Sequence, residues 1–299
     1  MKISPEILEG IIRKVISESK KIKLIQFRDE YFESIRYTCS ESYLRTVKSS
    51  FNQLLNYTDN IPLQNLDVKS AEGFFNKNYK RSKYAAALYH RTLKAAFNKA
   101  LNWDYISVNP FAKIKIPRLQ NEKPKFICFK ELETILHFAP DNLKDLYEFA
   151  FLTGLRLSEI INLKWSNVDL TEKVIQVGDN RFTTKSKKIR IVPLCGKAYK
   201  LLSGRSIHNN KAFVFGKSGS TFPFTTNYVS KKFKQAVRLA GADDKIHFHS
   251  LRHSFASDLV NKGVPLYHIK ELLGHSSIAV TEIYSHPDLK FLHDAVNKL

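Results

Sequence analysis

The sequence has few cysteines, no long apolar run and too few acidic residues to balance its basic ones. No stretch approaches the roughly 18 consecutive apolar residues of a membrane helix. The N-terminus mixes acidic and basic residues and lacks a signal-peptide core. Cys39, Cys128 and Cys195 are odd in number and far apart, which favours free thiols in a reducing compartment over a disulfide framework. We therefore expect a cytoplasmic protein that does not enter a membrane.

The charge balance indicates a polyanionic partner. Of the 299 residues, 48 are Lys or Arg and 28 are Asp or Glu, a formal net charge of +20. Solubility alone needs a net charge of only about 2–8 in a small domain. Hydrophobic residues make up 43% of the chain, enough to build real cores. The length is typical of two domains, and the charge predicts that they bind nucleic acid.

Residues 1–112 have the pattern of a small helical bundle. Glycine is nearly absent there, with only Gly10 and Gly73. We expect Asn109-Pro110 to end the last helix of this part. Apolar residues recur at helical spacing in two of its segments, Leu24, Phe27, Tyr31 and Ile35, then Tyr43, Val47, Phe51, Leu54 and Leu55.

A basic connector and a mixed α/β part follow. Residues 113–130 contain six basic residues, one acidic residue and two prolines. This composition fits either an extended segment that lies along the phosphates of a nucleic acid or an ordinary solvated connector. From Glu131 onward we expect mixed helices and strands, with a turn into a strand over 169–177, another short strand at 189–193 and a hairpin tip at 183–188 between them. We predict domains at 1–112 and 128–299, with a linker at 113–127.

Arg156 and Lys185 are candidates for phosphate chemistry. Gly154 should end one helix, which places Arg156 at the start of the next, where a guanidinium can fork onto phosphate oxygens. The alternative is a surface arginine paired with Glu159. Lys185 lies in the predicted hairpin tip, where a lysine can donate a proton, contact phosphate or simply be solvated.

A histidine-rich string supplies two further candidates. In His247-Phe-His-Ser-Leu-Arg252-His, the residues His249 and Arg252 share one face if the segment is helical. Such a pair could hold one phosphate, with the histidine able to exchange a proton near neutral pH. Structural roles in a cap or core are the alternative. The spacing matches no zinc motif.

The last string, Leu272-Leu-Gly-His275, precedes Tyr284 by nine residues. Gly274 should end a helix, which places His275 in a turn and Tyr284 on the following helix. A tyrosine can act as a covalent nucleophile toward a charge-neutralised phosphorus. The chain has 13 tyrosines, and most tyrosines in a fold are core or surface residues.

Taken together, these strings resemble the tyrosine recombinase (phage integrase) family. The order Arg156, Lys185, His249-x-x-Arg252, Leu-Gly-His275 and Tyr284 carries the resemblance, with Thr153-Gly-Leu-Arg-Leu-Ser-Glu and His249-Ser-Leu-Arg-His-Ser-Phe-Ala as the most specific strings. It implies a mainly α fold with a small antiparallel sheet: an N-terminal helical bundle (a SAM-like core-binding domain) followed by an α+β catalytic domain.

The resemblance also implies a site-specific recombinase that uses neither metal, cofactor nor ATP. Tyr284 would form a 3′-phosphotyrosyl intermediate, and Arg156 and Arg252 would clamp the nonbridging oxygens. His249 would assist deprotonation of Tyr284 or hold an oxygen, and His275 would add a hydrogen bond. Lys185, rather than Lys187 or Lys188, would protonate the leaving 5′ oxygen.

The expected partner is double-stranded DNA, bound by a monomer that forms a homotetramer on the DNA. The short N-terminal stretch favours a compact, Xer-like recombinase or a mobile-element integrase. A type IB topoisomerase-like enzyme, a catalytically silent DNA-binding regulator and a metallohydrolase are the alternatives. The candidate DNA contacts are Arg81, Lys83, Arg91, Lys94, Lys113 and Lys115.

Overall fold

The structure, a computed structural model, describes residues 22–117, 124–178, 189–206, 212–216 and 223–284. The chain divides into two compact units between residues 121 and 122. In the described ranges, no helix combines the length and the apolar character that crossing a membrane would need.

The described part of the first unit contains four α-helices: α1 (Leu24–Ile35), α2 (Glu41–Thr58), α3 (Val68–Arg81) and α4 (Lys83–Asn102). Three of them begin at a side-chain cap, because Ser40, Asp67 and Ser82 each accept a hydrogen bond from the backbone N–H three residues on. The apolar positions of the two predicted helical segments supply the buried residues of α1 and α2. The predicted helical bundle is confirmed.

Aromatic rings fill the core of this unit. Phe27 contacts Phe51 and Phe97 with ring centroids 5.8 and 5.6 Å apart, and Phe97 contacts Phe111 at 5.1 Å. The expectation that the last helix runs to Asn109-Pro110 is wrong, because α4 ends at Asn102. The Asn109 side chain instead donates to the Lys94 carbonyl, which folds the chain back so that Phe111 reaches the core.

The second unit contains the remaining described elements. Its helices are α5 (Phe129–His137), α6 (Asp141–Thr153), α7 (Leu157–Ile161), α8 (Gly196–Ser206), α9 (Thr226–Leu239), α10 (Phe248–Asn261), α11 (Leu266–Leu273) and α12 (Ala279–Glu282). Its strands are β1 (Val168–Asp169), β2 (Val174–Val177) and β3 (Arg190–Pro193), an antiparallel sheet in the order β1-β2-β3. The predicted fold class, mainly helical with a small antiparallel sheet, is confirmed. The predicted hairpin tip at 183–188 lies outside the described residues.

The described ends of the predicted linker pack into the units. Ile114 is buried in the core of the first unit, and Ile127 is buried in that of the second. Helix α5 begins at Phe129, two residues before the predicted change at Glu131. The reason is a cap: the Glu131 carboxylate accepts the backbone N–H of Cys128 at 2.7 Å.

Candidate active site

Arg252 is a buried cation held by the ends of two helices. Its side chain lies on α10, which packs against α6, and is 2% exposed. It donates to the carbonyl of Gly154 at 2.8 Å and to that of Leu273 at 2.7 Å. Both carbonyls lie at helix C-termini, where the macrodipole is negative. The helix ends thus stabilise a charge that would otherwise be costly to bury.

Three guanidinium groups donate hydrogen bonds to backbone carbonyls at the C-terminus of α11. Consecutive carbonyls of residues 272–274 accept from Arg190 at 3.0 Å, Arg252 at 2.7 Å and Arg156 at 3.1 Å. Gly274 has φ of +65°, and a Cβ there would lie 2.9 Å from Nη1 of Arg190. A side chain here would be strained and would crowd the Arg190 guanidinium, so the glycine that ends the helix also leaves room for the arginine.

Glu159 joins two of these arginines. The carboxylate is 3% exposed and accepts from Arg156 at 3.0 Å and from Arg190 at 3.1 and 2.7 Å. Burial would raise the pKa of Glu159, but Arg190 and Arg156 outweigh it and hold that pKa below its usual range. Three guanidinium groups and one carboxylate give the cluster a charge of 3 − 1 = +2.

Sequence reasoning missed the importance of Glu159 and Arg190. It treated Glu159 only as the partner of a surface Arg156, and it proposed no role for Arg190. The short strand predicted at 189–193 contained a signal, because alternate residues of a strand share a face, which places Arg190 and Val192 together. Val192 is buried, so Arg190 also points inward.

A pocket of about 600 Å³ opens on this cluster. Four of the predicted catalytic side chains line it: Arg156, His249, Arg252 and His275. They come from three segments of the chain, at the start of α7, in the first two turns of α10 and just after α11. Tyr284 is not among the lining residues, and Lys185 lies outside the described residues.

The surroundings of both pocket histidines favour the neutral imidazole. Burial and the neighbouring Arg252 and Arg156 lower the pKa of His275 to about 4. Its Nδ1 lies 2.8 Å from the Thr281 hydroxyl. The His249 side chain opens onto the pocket. The pocket partly shields its ring from bulk water, and His253 and Arg252 lie close to it. These effects lower the pKa of His249 below its usual range.

Burial lowers the pKa of Arg252 as well, helped by Arg156, but only to about 9. The guanidinium therefore remains a cation at neutral pH. The pocket combines cations that are fixed by backbone carbonyls with imidazoles that can donate hydrogen bonds without adding charge.

Tyr284 lies beside the cluster but not on the predicted helix. Helix α12 ends at Glu282, and the Tyr284 N–H donates to the Thr281 carbonyl, three residues back, so Tyr284 sits in a tight turn. The side chain is 3% exposed. Its ring lies nearly parallel to that of His275, with centroids 6.5 Å apart.

The partner of the Tyr284 hydroxyl is His253, whose Nδ1 lies 2.7 Å from Oη. We expected His249 to assist Tyr284, but the structure records no hydrogen bond between those two side chains. Sequence reasoning quoted His253 only as part of a string. Its position four residues after His249, on the same helical face, was the available signal.

The predicted DNA contacts all lie in the first unit. Five of them, Arg81, Lys83, Arg91, Lys113 and Lys115, are exposed, and Lys94 is half-buried. The Lys94 ammonium donates to the Ala112 carbonyl at 3.3 Å. Exposed Lys and Arg side chains of this kind can reach DNA phosphates. In the parts of the chain that the structure describes, no group of three or more His, Cys, Asp and Glu could hold a metal ion.

Two family models match the chain. The phage integrase family matches residues 125–290, more than half of the sequence, and the phage integrase SAM-like domain matches residues 23–116. The chain belongs to the phage integrase family of tyrosine recombinases.

Relatives of this family span both units. A tyrosine recombinase of Thermosipho africanus is 29% identical over 289 residues, covering 93% of this chain and 99% of the relative. Tyrosine recombinase XerC of Bacillus subtilis is 29% identical, covering 83% of this chain and 90% of the relative. The structure of a lambda integrase tetramer bound to a Holliday junction has the same fold, with a TM-score of 0.76 and 20% sequence identity. The match covers 96% of this chain and 82% of the lambda integrase chain. The chain is thus an enzyme of the tyrosine recombinase class.

Proposed function

We propose that this recombinase breaks and rejoins DNA strands through a 3′-phosphotyrosyl intermediate on Tyr284. The observation that carries the proposal is the pocket in which Arg156, Arg252, His249 and His275 converge beside the buried Tyr284. The chemistry follows from charge. Attack on a phosphodiester builds negative charge on the two nonbridging oxygens, and the site must neutralise it.

Arg156 and Arg252 stabilise those oxygens in this proposal. The cluster's charge of +2 equals in magnitude the charge of a five-coordinate phosphorus group with two ionised oxygens. Each guanidinium is already hydrogen-bonded to a helix-end carbonyl, so little reorganisation is needed as charge develops. One preorganised donor is worth about 10²–10³ in rate. The neutral imidazoles of His249 and His275 add hydrogen bonds to the same oxygens.

The leaving 5′ oxygen needs a proton, which we assign to Lys185. The covalent bond to Tyr284 conserves the phosphodiester energy, so rejoining requires no ATP. A 5′-hydroxyl from a second strand attacks the intermediate, releases Tyr284 and exchanges the strands through a four-way junction. The lambda integrase structure that is bound to a Holliday junction as a tetramer supports a homotetramer on DNA here, assembled from monomers. We place the reaction in the cytoplasm.

Affinity for duplex DNA comes from exposed basic residues of the first unit in this proposal. The candidates are Arg81, Lys83, Arg91, Lys94, Lys113 and Lys115. The proposed division places the linker at 113–127 between this unit and a catalytic domain at 128–299. Electrostatic binding of this kind weakens steeply with salt.

The test uses a nicked duplex that carries the recombination site from flanking repeats, so that cleavage releases a short fragment and traps the adduct. The native protein should form a covalent protein–DNA complex on a denaturing gel. Tyr284→Phe should form none, while binding DNA within about twofold of the native affinity, because only one buried hydroxyl is removed. An adduct from Tyr284→Phe would contradict the assignment, and no adduct from the native protein would contradict the chemistry.

A further inference from the structure

The hydroxyl of Tyr284 has a defined hydrogen-bond partner that the family resemblance does not name. His253 Nδ1 lies 2.7 Å from Oη, and the two rings are 5.5 Å apart at 49°. At that distance the pair forms a short, strong hydrogen bond. Because Tyr284 is 3% exposed, bulk water is a poor alternative acceptor for its proton.

Helix α10 holds His253 in this position. His253 follows Arg252 directly and lies one turn beyond His249, and the centroids of the two histidine rings are 4.6 Å apart with an interplanar angle of 84°. His249, His253 and Tyr284 therefore form a continuous row of side chains that begins in the pocket, at His249, and ends at the Tyr284 hydroxyl. Packing on one side and a hydrogen bond on the other fix the His253 ring.

The protonation states suit a transfer from tyrosine to histidine. Burial, with His247 and Arg252 close by, lowers the pKa of His253 to about 4, which favours the neutral imidazole at pH 7. In the tautomer that carries its proton on Nε2, Nδ1 accepts the phenolic hydrogen bond. Burial raises the pKa of Tyr284, although Arg252 and Arg156 oppose the shift. The phenol is thus protonated at rest and must lose its proton on attack.

The other histidines near the site make different contacts. Nδ1 of His275 lies 2.8 Å from the Thr281 hydroxyl. His249 contacts the His253 ring and faces the pocket. The titratable and charged groups around His253 are His247, His249, Arg252, His275 and Tyr284.

We propose that His253 is a further catalytic residue, which accepts the Tyr284 proton on Nδ1 as the Tyr284 oxygen attacks the DNA phosphorus. The new bond joins Oη to phosphorus, and the bond from phosphorus to the 5′ oxygen breaks. The phenolic proton moves to His253, and the leaving 5′ oxygen takes a proton from Lys185, the donor proposed above. In rejoining, the attacking 5′-hydroxyl gives its proton back to Lys185, the bond from Oη to phosphorus breaks, and His253 returns its proton to Tyr284. This inference rests on the proposed function of Tyr284.

The first test is single-turnover cleavage of the nicked duplex by His253→Ala, at protein concentrations that saturate the DNA. Loss of a general base typically costs 10²–10⁴ in rate, and we expect a loss in that range with unchanged DNA affinity. Added imidazole should raise the cleavage rate of His253→Ala by about tenfold or more, because it can occupy the space that the missing side chain leaves. His268→Ala is the matched control, because His268 is an exposed histidine beside Tyr267 and should keep the native rate.

The pH profile separates base catalysis from a structural role. The native rate should be nearly independent of pH between about 6 and 8, because His253 remains neutral. Cleavage by His253→Ala should rise about tenfold per pH unit, since Tyr284 must then ionise unaided. Parallel profiles for the two proteins would overturn the proposal, because a packing defect lowers the rate equally at every pH.

A substrate with sulfur at the bridging 5′ position shows whether His253 assists the attacking Tyr284 oxygen or the leaving 5′ oxygen. A thiolate leaves without protonation, so this substrate rescues a missing general acid but not a missing base. We expect the His253→Ala defect to persist on it, and full rescue would overturn the proposal. Should His253→Ala fail to fold, His253→Asn replaces it, because its side-chain amide reaches the Nδ1 position but is no base. We expect it to bind DNA normally and cleave at least 10²-fold more slowly.

The outcomes for the two proposals differ. If Tyr284→Phe abolishes the adduct and His253→Ala cleaves at the native rate, the role of His253 is wrong and the function of Tyr284 stands. If Tyr284→Phe still forms the adduct, the proposed function itself is wrong.

Discussion

The two units use polar groups in opposite ways. In the described part of the first unit the buried polar side chains are neutral, and each hydrogen-bonds a nearby backbone carbonyl: Ser50, His90, Thr92 and Asn109. In the second unit the buried groups include Arg252 and Glu159, a full cation and a full anion. The exposed basic residues of the first unit keep their charge at the surface instead.

This difference separates structure from chemistry. Removing a charged group from water costs several kcal/mol even in real proteins, so a fold that needs only stability keeps charges outside. Buried and perturbed charges concentrate at functional sites. We conclude that the first unit binds by exposed charge and the second reacts by buried charge. The comparison predicts that variants in the two units affect different steps.

The largest effect should come from Arg252→Ala. It removes a preorganised cation, and we expect single-turnover cleavage to fall by about 10²–10³ while DNA affinity changes only a few-fold. Arg252→Lys should recover little, because an ammonium lacks the planar fork that spans two carbonyls. Arg238→Ala, on the exposed face of α9 and paired with Asp244, is the control.

Circular dichroism checks that the Arg252 variants remain folded. A loss of DNA affinity as large as the loss of cleavage rate would break the comparison, because Arg252 would then act in binding rather than in chemistry.

Acidification should destabilise the second unit more than the first. His253 and His275 have a pKa of about 4 in the folded chain, below the ordinary value near 6.5. The unfolded chain therefore binds more protons between these values, and the free energy of unfolding falls as pH falls through that window. The lowered pKa of His249 acts in the same direction. The first unit has one such group, His90.

Hydrogen exchange on the full chain measures this difference. Between pH 7 and pH 5, and after correction for intrinsic exchange, amides of α10 should lose at least about 1 kcal/mol more protection than those of α4, since one pKa unit corresponds to 1.36 kcal/mol. Equal losses in the two helices would mean that the histidines of the second unit titrate normally.

The smallest effects should come from single exposed charges of the first unit. Each of Lys83→Ala and Arg91→Ala should lower the slope of log affinity against log salt by about 0.9 if the residue neutralises one phosphate. The cleavage rate of the bound complex should not change. Lys48→Ala, an exposed lysine of α2 outside the predicted contacts, is the control, and an unchanged slope in both variants would remove these residues from the interface.

Local features of the fold could be predicted from the sequence. Apolar spacing located α1 and α2, and Gly154 and Gly274 were recognised as helix ends. These features depend on residues within a turn of each other. Chain order and two specific strings were enough to indicate the family and most of the candidate pocket.

Long-range contacts could not be predicted. Nothing in the Leu272-Leu-Gly string shows that its three carbonyls would each accept a guanidinium from a distant segment. The Arg190–Glu159 pair and the His253–Tyr284 pair are likewise tertiary contacts. The length of α12 depends on a balance between a short helix and a tight turn at Tyr284, which spacing alone does not decide.

The most direct test of the account is the position of the covalent bond. Trapped complex from the nicked duplex would be digested with a protease and a nuclease, and the modified peptide sequenced by tandem mass spectrometry. We predict a nucleotide attached through its 3′ phosphate to Tyr284 and to no other side chain. A nucleotide on another residue, or one attached through a 5′ phosphate, would contradict the account.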